Sequence, residues 1–581
     1  MNGKHSHLCS ITIALVALCA GLVQAQQPSP TAEPSSSGSI SGRVVTDSGQ
    51  PLSNATVFFR SANSFTMART ILTDADGNFE LKGLDVSLYT VSAAVPTYVF
   101  PPRDPDAQPV YYRIGDTVNL QLTKGGVITG TVVNASGDPV IGLAVRALLI
   151  RDGNGKPTHG AVFAGERSTD DRGIYRIYGL APGTYLVQAG GNRNQYQQGL
   201  YDLDAPTFSP SSSRDTAAEF AVRSGEETTA DIRYRGEPGR TVSGTVKVRT
   251  GNTNGVNVTL TAVGDGMFPT ATAFQIPLGK GFAFYGVADG EYYVVAQEVL
   301  PSDNRTAPNL ALSESKRITV KGADVTGLEL VTNPLANING KIILESSKLP
   351  DCQNKRRPSF QETVINLIRN PKSDENESPS LYMRLFASST FPDKDGVFVL
   401  RNLRPGQYTY APKFFARYWY VQAISLGSSG TARPTTARVD SARHWTTIKG
   451  GDAITGLAIT LAEGAASIRG RLQLAEGAQP PPNLKVFLVP AEREKAEDSL
   501  RFFVSDVAAD GTFSLFNLPP GQYFVGAQTV GEKDPQTNDK LRLPDASEVR
   551  TRIRKTAEAG KVNVELKPCQ NLNDYRLPLS P

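Results

Sequence analysis

The sequence predicts an all-β protein, a tandem array of five β-sandwich domains behind an export signal. Three observations carry this expectation. The phrase "DGTFSLFNLPPGQYFV" (510–525) recurs in five versions, a second phrase with a central glycine opens each repeat, and no stretch keeps a long helical period. The other versions are "DGNFELKGLDVSLYTV" (76–91), "RGIYRIYGLAPGTYLV" (172–187), "KGFAFYGVADGEYYVV" (280–295) and "DGVFVLRNLRPGQYTY" (395–410). Their aligned tyrosines, Tyr89, Tyr185, Tyr292, Tyr408 and Tyr523, fall at steps of about 96, 107, 116 and 115 residues, the size of one small β domain.

Ahead of the repeats, residues 1–25 read as a secretory signal peptide: a polar start with Lys4, the apolar run "LCSITIALVALCAGLV", and a small-residue cleavage site ending at Ala25. Lipid attachment at Cys19 fits less well, because Leu18 precedes it where a small residue is usual. Residues 26–37 form a Pro/Ser-rich leader expected to carry no fixed structure. No later stretch is long and apolar enough to span a membrane. The mature chain is therefore expected outside the cytoplasm, whether periplasmic, on the cell surface or extracellular.

The opening phrases are "SISGRVV" (39–45), "VITGTVV" (127–133), "TVSGTVK" (241–247), "NINGKII" (338–344) and "SIRGRLQ" (467–473). Each is rich in β-branched residues or alternates apolar with other side chains, as a half-buried strand does. In the middle phrase, Asp-Gly predicts a tight turn, with Gly at positive φ and the Asp before it capping its own backbone. Phe513 and Leu515 then alternate along a strand, and Pro520-Gly521 predicts a type II turn. Tyr523, two residues on, predicts a tyrosine corner, its ring buried and its hydroxyl bonded back across the turn. The first and third copies carry Val86-Ser87 and Asp289-Gly290 in place of Pro-Gly, so their corners are expected to be looser. Closing strands are read in "TVNLQL", "TADIRY", "VTGLEL", "ITGLAIT" and "VNVELK". "AEREKAEDSLRFF" (491–503) is expected to form a turn or two of helix within a loop. The modules are accordingly placed at 38–123, 124–235, 236–333, 334–463 and 464–570, with a C-terminal tail at 571–581.

The three phrases together resemble the carboxypeptidase regulatory-like domain. That module is similar to the transthyretin-like domain appended to some metallocarboxypeptidases, and is grouped with starch-binding-like and Cna-B-type sandwiches. "YDLDAPTFSPSSSRDTAAEFAVRSGEETTADIRY" and "YWYVQAISLGSSG" further resemble multi-module secreted proteins of environmental bacteria. The resemblance implies immunoglobulin-like or transthyretin-like sandwiches and a non-catalytic accessory role.

The chemistry in the sequence agrees with that role. A zinc peptidase needs two His and a Glu at ligand spacing, whereas the chain beyond residue 25 holds only His159 and His444, neither in such a pattern. There is no G-x-S-x-G elbow and no phosphate-binding loop. "TDADG" (73–77) and "PDKDG" (392–396) begin like calcium loops but lack the later oxygens. Lys–Asn cross-links are not expected, because no module pairs a first-strand Lys with a last-strand Asn. The net charge of +4, with Lys and Arg scattered among acids, offers no nucleic-acid stripe. No catalytic residue, metal or cofactor is predicted.

Both tryptophans lie in module four. Trp419, in "KFFARYWYVQA", and Trp445, with His444 in "SARHWTT", are candidate glycan contacts, because exposed rings stack on sugar faces. For Trp419 the alternative is core packing opposite Tyr418 and Tyr420, and Trp445 is the better surface candidate. Cys352 and Cys569, the two cysteines beyond the signal, invite a disulfide in an exported chain. A head-to-tail string, however, places one after the first strand of module four and the other after the last strand of module five. Those points lie at different levels, beyond the ~7 Å Cα limit for bridging, unless the array folds back. The sequence thus predicts a structural or adhesive scaffold, alternatively a carbohydrate-binding protein, with an extracytoplasmic protein or polysaccharide as partner.

Overall fold

The structure, a computed structural model, describes residues 37–578 except 63–67, 102–108, 192–198, 250–254, 265–268, 278–279, 300–308, 353–354, 371–388, 428–438, 443, 475–478 and 530–546. The signal peptide and leader residues 26–36 lie outside the described residues. Ser37, read as the last leader residue, already belongs to the first strand, Ser37–Thr46.

The opening phrases become central strands: Ser37–Thr46, Gly126–Val133, Arg240–Lys247, Ala336–Glu345 and Ala466–Gln473. On one side each pairs antiparallel with the strand of the middle phrase: Asn78–Asp85, Ile174–Leu180, Gly281–Val287, Val397–Leu403 or Thr512–Leu518. The register sets each glycine directly opposite an aromatic residue: Gly42 and Phe79, Gly130 and Tyr175, Gly244 and Phe282, Gly340 and Phe398, Gly470 and Phe513. All five aromatic residues are buried. A methyl group on Gly470 would lie 2.6 Å from Phe513 Cζ and 2.5 Å from Tyr575 O, and one on Gly42 would lie 2.7 Å from Phe79 Cζ and 1.9 Å from Val118 O. The ring covers the bare backbone while the neighbouring strand closes in beside it, an aromatic rescue of glycine. The two phrases are therefore two halves of one contact.

On its other side each opening strand pairs parallel with a closing strand: Thr117–Lys124, the pieces Glu227–Thr229 and Ile232–Arg233, Val325–Pro334, Ala453–Glu463 and Asn571–Pro578. A second sheet forms around the tyrosine strand of each repeat, and the apolar faces enclose five large cores among the described residues. In the third repeat, Leu310–Ser313 pairs with Gly290–Val299 and with Val325–Pro334, joining both sheets into one of eight strands.

Five local expectations change. First, the corners are equally formed. Tyr89, Tyr185, Tyr292, Tyr408 and Tyr523 donate their hydroxyls to the carbonyls of Asp85, Ala181, Ala288, Arg404 and Pro519, at 2.9, 2.6, 2.8, 3.0 and 2.8 Å. The acceptor is a main-chain carbonyl four residues back, so the missing Pro-Gly costs no partner. Second, Gly406 and Gly521 take φ of 156° and 149°, well beyond the value of about +80° of a type II turn. Third, in the "DADG" and "DDRG" turns the capping carboxylate lies three residues before the glycine. Asp74 accepts from the amides of Asp76 and Asn78, and Asp170 from those of Arg172 and Ile174.

Fourth, "VNVELK" is not the closing strand of repeat five. Asn563–Leu566 pairs with Gly521–Thr529 in the second sheet, and the supposed tail supplies the closing strand, Asn571–Pro578. Period-two alternation says which face a side chain takes, not which strand lies alongside. Fifth, a 13-residue helix, Ser547–Ala559, buries Val549, Ile553 and Ala557 against Phe487 and Val489. Its apolar stripe is too narrow among six charged residues to stand out in sequence. Residues 491–503 do form two short 3₁₀ turns, Arg493–Lys495 and Ser499–Arg501.

The array is not a simple string. Tyr111 of repeat one packs edge-on against Phe391 of repeat four, ring centroids 5.5 Å apart, and the Arg113 guanidinium lies 4.5 Å from the centre of the Phe415 ring. Repeat one therefore lies against repeat four. Within each middle phrase, the residue before the buried Leu or Val at the end of the strand (Leu84, Leu180, Val287, Leu403 or Leu518) takes positive φ: Gly83 68°, Gly179 72°, Gly286 66°, Asn402 61° and Asn517 59°. Four of these meet the junction with the preceding repeat. Gly179 packs under Gly125, whose amide donates to Thr97 O. Gly286 sits where a methyl would strike Asp202 O at 2.6 Å. Asn402 Oδ1 accepts from Leu310 N at 2.8 Å, and Asn517 Nδ2 donates to Ala416 O and Trp419 O at 2.7 and 2.6 Å. Gly and Asn are the residues that visit this conformation readily. Glycine serves where backbones touch, and asparagine where a side chain must span a gap.

Candidate functional site

Repeats four and five meet around the Asn517 joint, and in front of it lies a groove of about 520 Å³. Repeat four contributes the end of the strand Gly406–Lys413, the following Phe414 and Phe415, and Trp445. Repeat five contributes Ser499, Leu500, Phe502, Pro519 and, from the helix, Arg550. Ser499 ties the two walls, with its hydroxyl donating to Ala442 O at 2.6 Å. Tyr410 on the floor is buried, which raises its hydroxyl above the ordinary tyrosine range, partly offset by the Thr446 side chain. Phe415 remains 39% exposed at the rim.

The candidate contacts separate here. Trp445 is half-buried, His444 is exposed, and both line the groove. Trp419 does not: it is 0% exposed in the core of repeat four. As the first residue of the strand Trp419–Leu426 it turns inward while Tyr418 and Tyr420 remain partly exposed, so the core reading holds and the glycan role assigned to Trp419 is withdrawn. His159 lies in the strand Pro157–Ser168 of repeat two, with its side chain outside the described residues. Among the described residues no group of three or more His, Cys, Asp and Glu is placed to hold a metal, and no helix is long and apolar enough to cross a membrane.

Cys352 and Cys569 form a disulfide, with Cα atoms 5.5 Å apart. The expectation of different levels fails because Cys569 precedes the closing strand instead of following it. Parallel pairing sets Asn571 beside Ser467, so Cys569 lies at the junction, where its amide donates to Gly464 O. The strand Ala336–Glu345 runs parallel to Ala453–Glu463 and delivers Cys352 to the same level. The groove residues from repeat five were not legible in the sequence, since nothing local in "SLRFF" or the helix announces a partner domain.

Residues 39–123 match the carboxypeptidase regulatory-like domain. The Gly–aromatic pair, the positive-φ residue and the tyrosine corner of that stretch all recur in the four later repeats. No curated protein matches the chain. Among solved structures it is similar to the Bacillus anthracis TIE protein at 11% identity, over 90% of this chain and 74% of that one, with a TM-score of 0.15. It is similar to shaft pilin SpaA from Lactobacillus rhamnosus GG at 11% identity, over 34% and 98%, with a TM-score of 0.16. It is also similar to BcpA, the major pilin subunit of Bacillus cereus, at 11% identity, over 51% and 99%, with a TM-score of 0.14. At these TM-scores nothing is carried from those proteins to this one.

Proposed function

We propose that the chain is an exported, non-catalytic scaffold of five β-sandwich domains, divided near residues 124, 236, 334 and 464, that holds its surfaces at set positions outside the cytoplasm. The observation that supports this best is the repeated joint. The same positive-φ residue meets the preceding domain at all four junctions, and a disulfide crosses the last one. Short junctions and direct backbone contacts restrict hinge motion, as a spacer or display protein requires. Small-angle scattering tests it. A scaffold gives one compact particle whose dimensions match the folded-back array and do not change with salt. The broad distance distribution of freely hinged domains would refute it.

A second reading, carbohydrate binding, draws on Trp445 and His444 in the groove. An apolar cleft with a partly exposed ring and nearby polar groups suits a sugar face. Glycan-array binding that Trp445→Ala abolishes supports it, and silence across polysaccharides removes it.

A further inference from the structure

The groove between repeats four and five has a feature that neither reading uses: the N-terminal leader enters the structure beside it. The first strand begins at Ser37. Ser39 O accepts from Gly115 N at 2.7 Å, and a methyl on Gly38 would sit 3.0 Å from Ile114 Cβ, so the start of this strand lies against the 113–116 turn. In that turn Arg113 is held by Asp116 at 3.2 Å, and its guanidinium rests on Phe415, a groove residue. The point where the leader meets the fold is thus separated from the groove rim by one arginine side chain.

The leader's composition fits the groove. Between the expected cleavage after Ala25 and Ser37 lie eleven residues, "QQPSPTAEPSS", with Pro28, Pro30 and Pro34. Proline-rich chain favours the polyproline II form, and eleven residues of it reach about 34 Å. Aromatic-lined grooves bind such segments because the ligand is already extended and loses little entropy on docking. Tyr410, Phe414, Phe415 and Trp445 provide such a lining. Charge matches as well. Glu33 is the leader's one charged residue, while the groove's lining carries Lys413 and, among its described residues, no carboxylate.

We infer that residues 26–36 dock in this groove in cis, as a strap that occupies it until an outside ligand displaces it. The inference is independent of the scaffold reading, since rigid junctions need no occupied groove. It makes any ligand of the groove, sugar or peptide, a competitor of the leader.

The test compares the exported chain with the same chain lacking 26–36, using a synthetic peptide of residues 26–36 as probe. Deletion is expected to increase acrylamide quenching of tryptophan emission, because Trp445 is uncovered while Trp419 stays buried, and added peptide is expected to reverse it. A tether of this length supplies an effective concentration of about 1 mM, so an intrinsic Kd of about 0.1 mM gives about ten-fold tighter peptide binding to the deleted chain than to the intact one. Trp445→Ala in the deleted chain should abolish binding, with the unchanged core emission of Trp419 certifying the fold. Equal peptide affinity for intact and deleted chains, or none for either, overturns the inference. So does equal binding of a peptide with all three prolines changed to serine, or a polysaccharide that fills the groove equally well with and without the leader.

Discussion

Replacing Asn517 tests whether the positive-φ residue is a joint between domains. Its side-chain amide donates two bonds into repeat four, to Ala416 O and Trp419 O, and its backbone sits at φ 59°. A neutral hydrogen bond contributes about 1 kcal/mol net, so Asn517→Gly, which keeps the backbone unstrained, should weaken the junction by about 2 kcal/mol. Asn517→Ala loses the same bonds and also holds a Cβ in the left-handed region, adding about 1 kcal/mol. With 1.36 kcal/mol per factor of ten, opening of the junction should become about 30-fold more frequent in the glycine variant and about 150-fold in the alanine variant. Native-state hydrogen exchange reads this directly, because the amides of Gly464 and Ala465 both donate across the joint to Tyr418 O, at 2.8 and 3.0 Å. Their protection should fall by those factors while the Val44 amide in repeat one keeps its own. Unchanged protection in both variants would show that the bonds hold nothing, and an alanine variant no worse than the glycine variant would show that the positive φ costs nothing. A fall throughout the core of repeat five would mark general destabilisation and refute the joint.

Gly470→Ala should destabilise repeat five more than a surface glycine change, by about 1–3 kcal/mol for overpacking, because its methyl meets both Phe513 and the Tyr575 carbonyl; urea unfolding with Gly560→Ala as control measures it. Tyr523→Phe removes the corner bond, at a cost of about 1 kcal/mol by the same assay. Burial also holds the Tyr523 phenol at about 12, against about 10 in unfolded chain. The folded state keeps a proton that the unfolded state has lost, so this stabilisation is complete below about pH 10 and disappears as pH rises through about 12. Tyr523→Phe should accordingly flatten the alkaline loss of stability, as seen in melting curves across that range. Cys569→Ser should lower the stability of the joined pair by about 2–4 kcal/mol and make the Gly464 amide exchange faster. Rapid alkylation of two thiols in the unreduced native protein would refute the bridge.

Much of the domain fold was legible because its signals are local. An aromatic at the start of the middle strand and a tyrosine two residues past a turn each act over a few residues and recur five times, and the Asp–Gly turn ahead of them recurs in three copies. The pairing of Gly42 with Phe79, and its four counterparts, was half legible: both partners were marked in sequence, but their opposition depends on register. The closing strand Asn571–Pro578 was missed because Asp574 interrupts its alternation with φ 60°, while Asn563–Leu566 carries the cleaner pattern. The groove was legible only on the repeat-four side, through Trp445 and His444. Its other wall, from Ser499 to Phe503 and Arg550, consists of ordinary residues that gain a role by facing another domain.

The sequence by itself determined the all-β class, the five-fold repeat, the turns and the tyrosine corners, because each depends on backbone preference and side-chain alternation within about twenty residues. The tertiary structure alone decided that Trp419 is core and Trp445 groove, that Cys569 stands beside Cys352, and that repeat one lies against repeat four. Those outcomes turn on which strand lies beside which and in what direction. Parallel closure carries Cys569 back to the start of its domain, and no local preference in the chain encodes that return.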